Sequence, residues 1–199
     1  MFIQILVLAV IAAVVLYQLY ATLGRRAGRQ PEDAALAVKP AAPVLAPLEA
    51  EAGARLEGVA ALRARQPDFD TGHFLSGARA AYEMIVKAFA TGERETLKSL
   101  LAPEVMANFE AAIVAREAEG RSEKIEIMTP PRVDLESVNV DGDTARAVVR
   151  ILAEVRARST STEGEAVDDR RTAELWTFER DLTSSNPNWA LAHVAAAEA

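Results

Sequence analysis

"TARAVVRILAEVRAR", residues 144–158, decides the fold class. Ala145, Ala147, Val149, Ile151, Ala153 and Val155 take every second position, and Arg146, Arg150, Glu154, Arg156 and Arg158 stand between them. Side chains along a β-strand point alternately to its two faces, so this alternation predicts a strand with one face in a core and the other in water. The arginine row carries two readings. Arg146, Arg150 and Arg156 are candidate contacts for acidic partner segments or lipid headgroups. Alternatively they form a solvated face, cross-paired with acids such as Glu165 and Glu174.

Downstream, the polar stretch "STSTEGEAVDD" (159–169) reads as a loop. "RRTAELWTFERDL" (170–182) then alternates again, with Trp176, Phe178 and Leu182 on one side, and "WALAHV" (189–194) makes a final strand after the turn "SNPN". Upstream, Asp141-Gly142 is a hairpin turn signal behind the strand "RVDLESVNV" (132–140), and "EKIEIM" (123–128) alternates as well. Before Gly120 the period changes to that of helices. Asp70 or Thr71 caps a helix in which Phe74, Ala78, Tyr82, Ile85 and Phe89 recur every three or four residues, and Gly92 ends it. "RETLKSLL" (94–101) is a short second helix. Pro103 opens a third, where its missing N–H is no loss, with Val105, Phe109, Ile113 and Arg116 on one face. Helices followed by an antiparallel meander define an α+β domain with the helices on one face of the sheet. Phe74, Tyr82, Phe89, Phe109, Trp176 and Trp189 are expected between the two layers. Tyr82, Phe89, Trp176 and Phe178 are the candidate lining of any cavity left there.

The remainder of the chain reads differently. Phe2 to Leu23 is a run of 22 residues without charge, and about 20 apolar residues span a bilayer. Tyr17 and Tyr20 stand at the end that meets Arg25, Arg26 and Arg29. Secretory signals carry their basic residues before the apolar core, so this run is expected to stay as an anchor. Positive charge stays cytoplasmic, which places the N-terminus in the periplasm and the body in the cytosol of a bacterial inner membrane protein that crosses once. Residues 24–67 hold five prolines between 31 and 67 and no firm periodicity, so they read as a linker. Within it, 48–65 makes at most a marginal helix, weakened by Gly53 and Gly58, and disorder or a transient helix is the preferred reading. The domain is expected over 68–199.

Charge and composition narrow the function. The net charge is −7; the three juxtamembrane arginines removed, 19 Lys plus Arg face 29 Asp plus Glu. Such a body is a poor nucleic-acid binder, because phosphate contacts dominate that affinity. Cysteine is absent, which excludes a disulfide scaffold. The two histidines, His73 and His193, are far apart, and no H-E-x-x-H or phosphate-binding glycine loop occurs. Asp141, Asp143, Asp168 and Asp169 read as solvated turn residues. No catalytic set, cofactor or metal site is expected.

"FDTGHFLSGARAAYEMIVKAFATGERETLKSLLAPEVMANFEAAI" (69–113) and "ELWTFERDLTSSNPNWAL" (174–191) resemble the Tim forty-four-like domain family. The anchor followed by "LGRRAG" is similar to its membrane-anchored alphaproteobacterial members. The resemblance implies a cone-shaped fold of the nuclear transport factor two type around an apolar cavity. It also implies an adaptor role, since the mitochondrial relative holds a heat-shock chaperone at an import channel and touches lipid. This chain lacks that relative's long N-terminal segment, so its partner contacts do not carry over by residue. The expected function is a membrane-anchored, non-enzymatic adaptor for proteins such as a chaperone or translocase. The alternative is a binder of lipid or another apolar small molecule in the cone. The orientation has a direct test: a reporter active only in the periplasm, fused after Ala199, should stay silent, and a strong signal would reverse the topology.

Overall fold

A computed structural model describes residues 45–162 and 164–197. The anchor Phe2–Leu23 and most of the expected linker lie outside the described residues. Among those described, no helix is long and apolar enough to cross a membrane.

Among the described residues, four helices and five strands follow in chain order. They are α1 (Leu45–Arg65), α2 (Thr71–Thr91), α3 (Arg94–Leu100), α4 (Pro103–Ala118), β1 (Ser122–Ile127), β2 (Arg132–Asp141), β3 (Thr144–Ser161), β4 (Gly164–Asp181) and β5 (Ala190–Ala196). The helix ends sit where their capping chemistry puts them. The Asp70 carboxylate accepts the His73 backbone N–H at 2.6 Å and starts α2. Gly92 ends it in the left-handed region at φ 75°, its N–H returned to Ala88 and Phe89. Pro103 occupies the first turn of α4.

β3 organises the sheet. Along one edge it pairs antiparallel with β2 (Arg132↔Leu152 to Asp141↔Thr144) and then with β1 (Ile127↔Val155 to Ser122↔Thr160). Its other edge pairs with β4 over its whole length, and β5 closes onto Glu174–Glu179 of β4. The alternation in β3 appears as expected: Ala145, Ala147, Val149, Ile151, Ala153, Val155 and Ala157 are buried, and the residues between them are not. One core joins these residues to Phe74, Ala78, Tyr82 and Ile85 of α2, Leu97 of α3, Val105 and Ile113 of α4, and Trp176 and Phe178 of β4. The helices therefore cover the inner face, and the fold is helices packed on one face of an antiparallel sheet. Phe89, Phe109 and Trp189 are partly buried against that core.

Two expectations are corrected. The first concerns 48–65, expected as disorder or a transient helix within a linker ending at residue 67. It is part of a 21-residue helix, and its C-terminal half belongs to the body. Leu62 is fully buried and Val59 nearly so. The reason is Gly58: a Cβ built there would overlap the Val138 carbonyl of β2. Glycine lets the helix lie directly on the strand, so the residue that weakens the isolated helix is the one that docks it. A bulge at Glu136 frees that residue's carbonyl from the ladder, and Arg55 Nε of α1 donates to it at 3.0 Å. Arg65 donates to Gly142 O at 2.9 Å and Asp143 Oδ1 at 2.6 Å, so Asp143 is not a merely solvated turn residue.

The second correction concerns 159–169. Most of this polar stretch is strand, because β3 offers a ladder that β4 follows to the tip. Asp168 and Asp169 lie in β4, not in a turn. Polar composition alone marks a loop, but the long complementary edge overrides it.

Gly53 and Gly58 provide opposed tests of the docked helix. Gly53 has open space around it, so Gly53→Ala should raise stability by about 0.5–1 kcal/mol through helix propensity. Gly58→Ala should lower it by about 1–3 kcal/mol through overpacking, as read by chemical denaturation. Equal and positive effects at both sites would place α1 off the sheet.

Candidate functional site

Two regions of the body are built for contact: a cavity at one end of the inner layer and the uncovered outer face of the sheet. The cavity has a volume of about 730 Å³. It forms where the C-terminal end of α1 (Arg65, Gln66), the first turns of α2 (Asp70, His73, Phe74), the end of β4 (Phe178, Arg180) and the loop before β5 (Trp189) converge. Its aromatic wall is continuous. Ring centroids lie 5.0 Å apart for Phe74 and Trp189, 5.8 Å for Phe69 and Phe74, and 6.2 Å for Phe74 and Phe178. Such spacings and inclined rings suit the quadrupole preference of aromatic pairs. Against this wall stands Arg180, whose Nη1 donates to Gln66 Oε1 at 3.0 Å.

Of the four expected lining residues, Phe178 lines this cavity. Tyr82 and Trp176 pack on each other deeper in the core, centroids 5.0 Å apart. Trp176 Nε1 donates to Glu174 Oε2 at 2.8 Å, so Glu174 serves the inner face and not the arginine row. Burial pushes the Tyr82 hydroxyl pKa up, and Glu174 adds to the effect while Thr172 and Arg170 oppose it. Phe89 packs on Phe109 at 4.8 Å, with the Arg116 guanidinium over its ring. Arg116, 8% exposed, donates to Phe89 O at 2.7 Å and to Glu123 Oε2 at 3.0 Å, so it ties α4 to α2 and β1. The sequence reading missed Arg180. Its signal was an arginine on the apolar face of a strand, two residues beyond Phe178 and four beyond Trp176.

Arg146, Arg150 and Arg156 do share the outer face of β3, and each meets an acid there. Arg146 Nε donates to Glu179 Oε1 and Arg150 Nε to Glu136 Oε1, both at 2.6 Å. Arg156 forks onto Asp169 with bonds of 2.6 and 2.7 Å. Arg158 meets Glu165 at 2.8 Å, the cross-strand partner expected from sequence. Hydrogen bonding by Arg156 holds the Asp169 carboxyl below its ordinary range, and bonding to Glu179 raises the Arg146 guanidinium. Between these pairs lie Val148, Leu152 and Leu175, with Leu152 38% exposed. His193 is exposed on β5, opposite Thr177. Among the described residues no cluster of three or more His, Asp or Glu could hold a metal.

The body is thus of the α+β class, with helices on one face of a five-stranded antiparallel sheet, an aromatic cavity on that side and a bare outer face. Residues 56–196 match the Tim44-like domain, and the chain belongs to that family of interaction and adaptor domains. The match begins inside α1, in keeping with the docking of that helix. No curated protein matches the chain. Among solved structures, the intermembrane space region of chloroplast protein ARC6 is similar at 18% identity and a TM-score of 0.49, covering 61% of this chain and 95% of that one. A conserved protein from Planctomyces limnophilus is similar at 18% identity and a TM-score of 0.35, covering 60% and 94%.

The pH limits of stability follow from these shifts. Asp169 has a lowered pKa in the folded state, so its pairing stabilises the fold above the ordinary carboxylate range and is lost as pH falls through the lowered value. Tyr82 has a raised pKa, so its stabilisation is complete below the ordinary tyrosine value and is lost as pH rises through the raised one. Asp169→Asn should flatten the acid limb of a stability–pH curve, and Tyr82→Phe the alkaline limb. Unchanged limbs in both variants would remove these two groups from the pH dependence.

Proposed function

We propose that this protein is a membrane-anchored, non-enzymatic adaptor that docks protein partners on the outer face of its sheet. The observation that carries the reading is that face itself. Val148, Leu152 and Leu175 make a short apolar stripe there, framed by the pairs Arg146–Glu179, Arg150–Glu136 and Arg156–Asp169. A hydrophobic centre with a charged rim is the anatomy of a protein interface, where the centre supplies affinity and the rim supplies orientation. The run Phe2–Leu23, as a single span, would hold the body at the cytosolic side of an inner membrane, in contact with lipid through that helix alone. Family membership supports the protein-binding role. A chaperone or a translocase component is the partner class that the resemblance implies. A second reading, an apolar small molecule in the cavity, is supported by the aromatic wall of Phe69, Phe74 and Trp189.

The test is site-specific photo-crosslinking in intact membranes. A crosslinker at Leu152 should give a discrete protein adduct, and one at Leu56, which is 71% exposed on α1, should not. Exchanging the pairs, as Arg146→Glu with Glu179→Arg and Arg156→Asp with Asp169→Arg, keeps net charge and intramolecular pairing. The exchange should leave the melting temperature near that of the parent and weaken the Leu152 adduct. Identical adducts from Leu152 and Leu56, indifferent to the exchange, would remove the outer face as the docking surface.

A further inference from the structure

The cavity holds a cation without a counter-ion. On the outer face every arginine of β3 meets an acid. Arg180, on the inner face of β4, makes no ion pair among the described residues. Its Nη1 is spent on the neutral Gln66 amide, and its Nε is buried with no acceptor. A guanidinium held against an apolar wall without an anionic partner is costly, and an anion entering the cavity offsets that cost. The Asp70 carboxylate lines the same cavity but is occupied by the α2 N-terminus. Behind Arg180 the wall is aromatic and aliphatic: Phe74, Phe178, Trp189, Ala78 and Leu100.

We propose that the cavity binds a small apolar monocarboxylate, a free acid with an aliphatic or aromatic body. Its carboxylate accepts from the Arg180 guanidinium where that group lines the cavity, while the body lies against Phe74 and Trp189. This rests on the small-molecule reading of the cavity and names the chemistry of the ligand. Three observations select the class. A volume of about 730 Å³ is far larger than a bare inorganic anion needs and lies in the range of drug-sized ligand sites. One guanidinium balances one negative charge, as a carboxylate carries. A phosphate monoester, carrying nearly two, would face the acids Asp68 and Asp70 at the same cavity with no second free cation from Arg65, which is engaged by Asp143. The guanidinium stands at one side of the cavity and the rings at the other, which orients the acid end and leaves specificity for the body to the rings.

The experiment uses the full chain in detergent and three water-soluble probes: 4-phenylbutyrate, its methyl ester and 4-phenylbutyl phosphate. Trp189 lines the cavity and Trp176 is buried elsewhere, so the fluorescence change should vanish in Trp189→Phe and persist in Trp176→Phe. The acid should bind saturably and at least roughly tenfold tighter than the ester, the ratio expected for one charge-assisted hydrogen bond. Arg180→Gln should reduce the acid to the affinity of the ester, with Arg180→Lys between. Ester binding equal to acid binding would overturn the carboxylate anchor and leave an apolar cavity site. Tighter binding of the phosphate would overturn the monoanion class. No saturable binding of any probe would remove both the anchor and the cavity reading. The comparison of acid with ester in the parent chain keeps the test decisive even where the Arg180 variants fail to fold.

Discussion

Everything in the body hangs on the inner face of β3. Seven successive alternate positions there, from Ala145 to Ala157, carry only Ala, Val or Ile. The alanines leave room, and the large rings arrive from elsewhere: Tyr82 and Phe74 from α2, Trp176 and Phe178 from β4. A slip of β3 by one residue would turn Arg146, Arg150 and Arg156 into this layer and expose the alanine row, so the register is specified strongly by burial alone. Because β3 pairs with β1, β2 and β4 at once, that single register sets three others.

The legible parts of the fold were those governed by local chemistry. Asp70, Gly92, Pro103 and Gly142 each act within a few residues of themselves, and each marks an element boundary in the structure. The alternation of β3 reports a burial pattern that one strand displays unaided. What was not legible depends on distant partners. Gly58 looks like a helix weakness until the backbone of Val138, remote in sequence, is seen beneath it. Residues 164–169 look like a loop because their composition is polar; they are strand because β3 lies alongside. Arg180 was hidden for the same reason, since its meaning comes from Gln66 and the rings around it and not from its neighbours in β4.

The two contact regions are separated by the pleat of one strand. On β4, Trp176, Phe178 and Arg180 point to the core side, while Leu175, Thr177 and Glu179 point to the other. The cavity wall and the outer face are thus neighbours through the backbone, yet neither can reach the other's solvent. This geometry lets one small domain present a concave site and a flat site without sharing a side chain between them.

The way α1 is held also has a kinetic side. Its ties to the sheet close long stretches of chain: Arg55 reaches Glu136 across 81 positions and Arg65 reaches Asp143 across 78. The β3–β4 hairpin closes locally by comparison, so its chain-entropy cost is met early, whereas α1 can be secured only after β2 is in place. The same helix has few neighbours beyond β2 and ends at the cavity with Arg65 and Gln66. Its release is therefore set by the approach to β2 at Gly58 and by the ties of Arg55 and Arg65. Its C-terminal end walls the cavity, so release of α1 from β2 would open the cavity at Arg65 and Gln66 and leave the β3–β4 ladder intact.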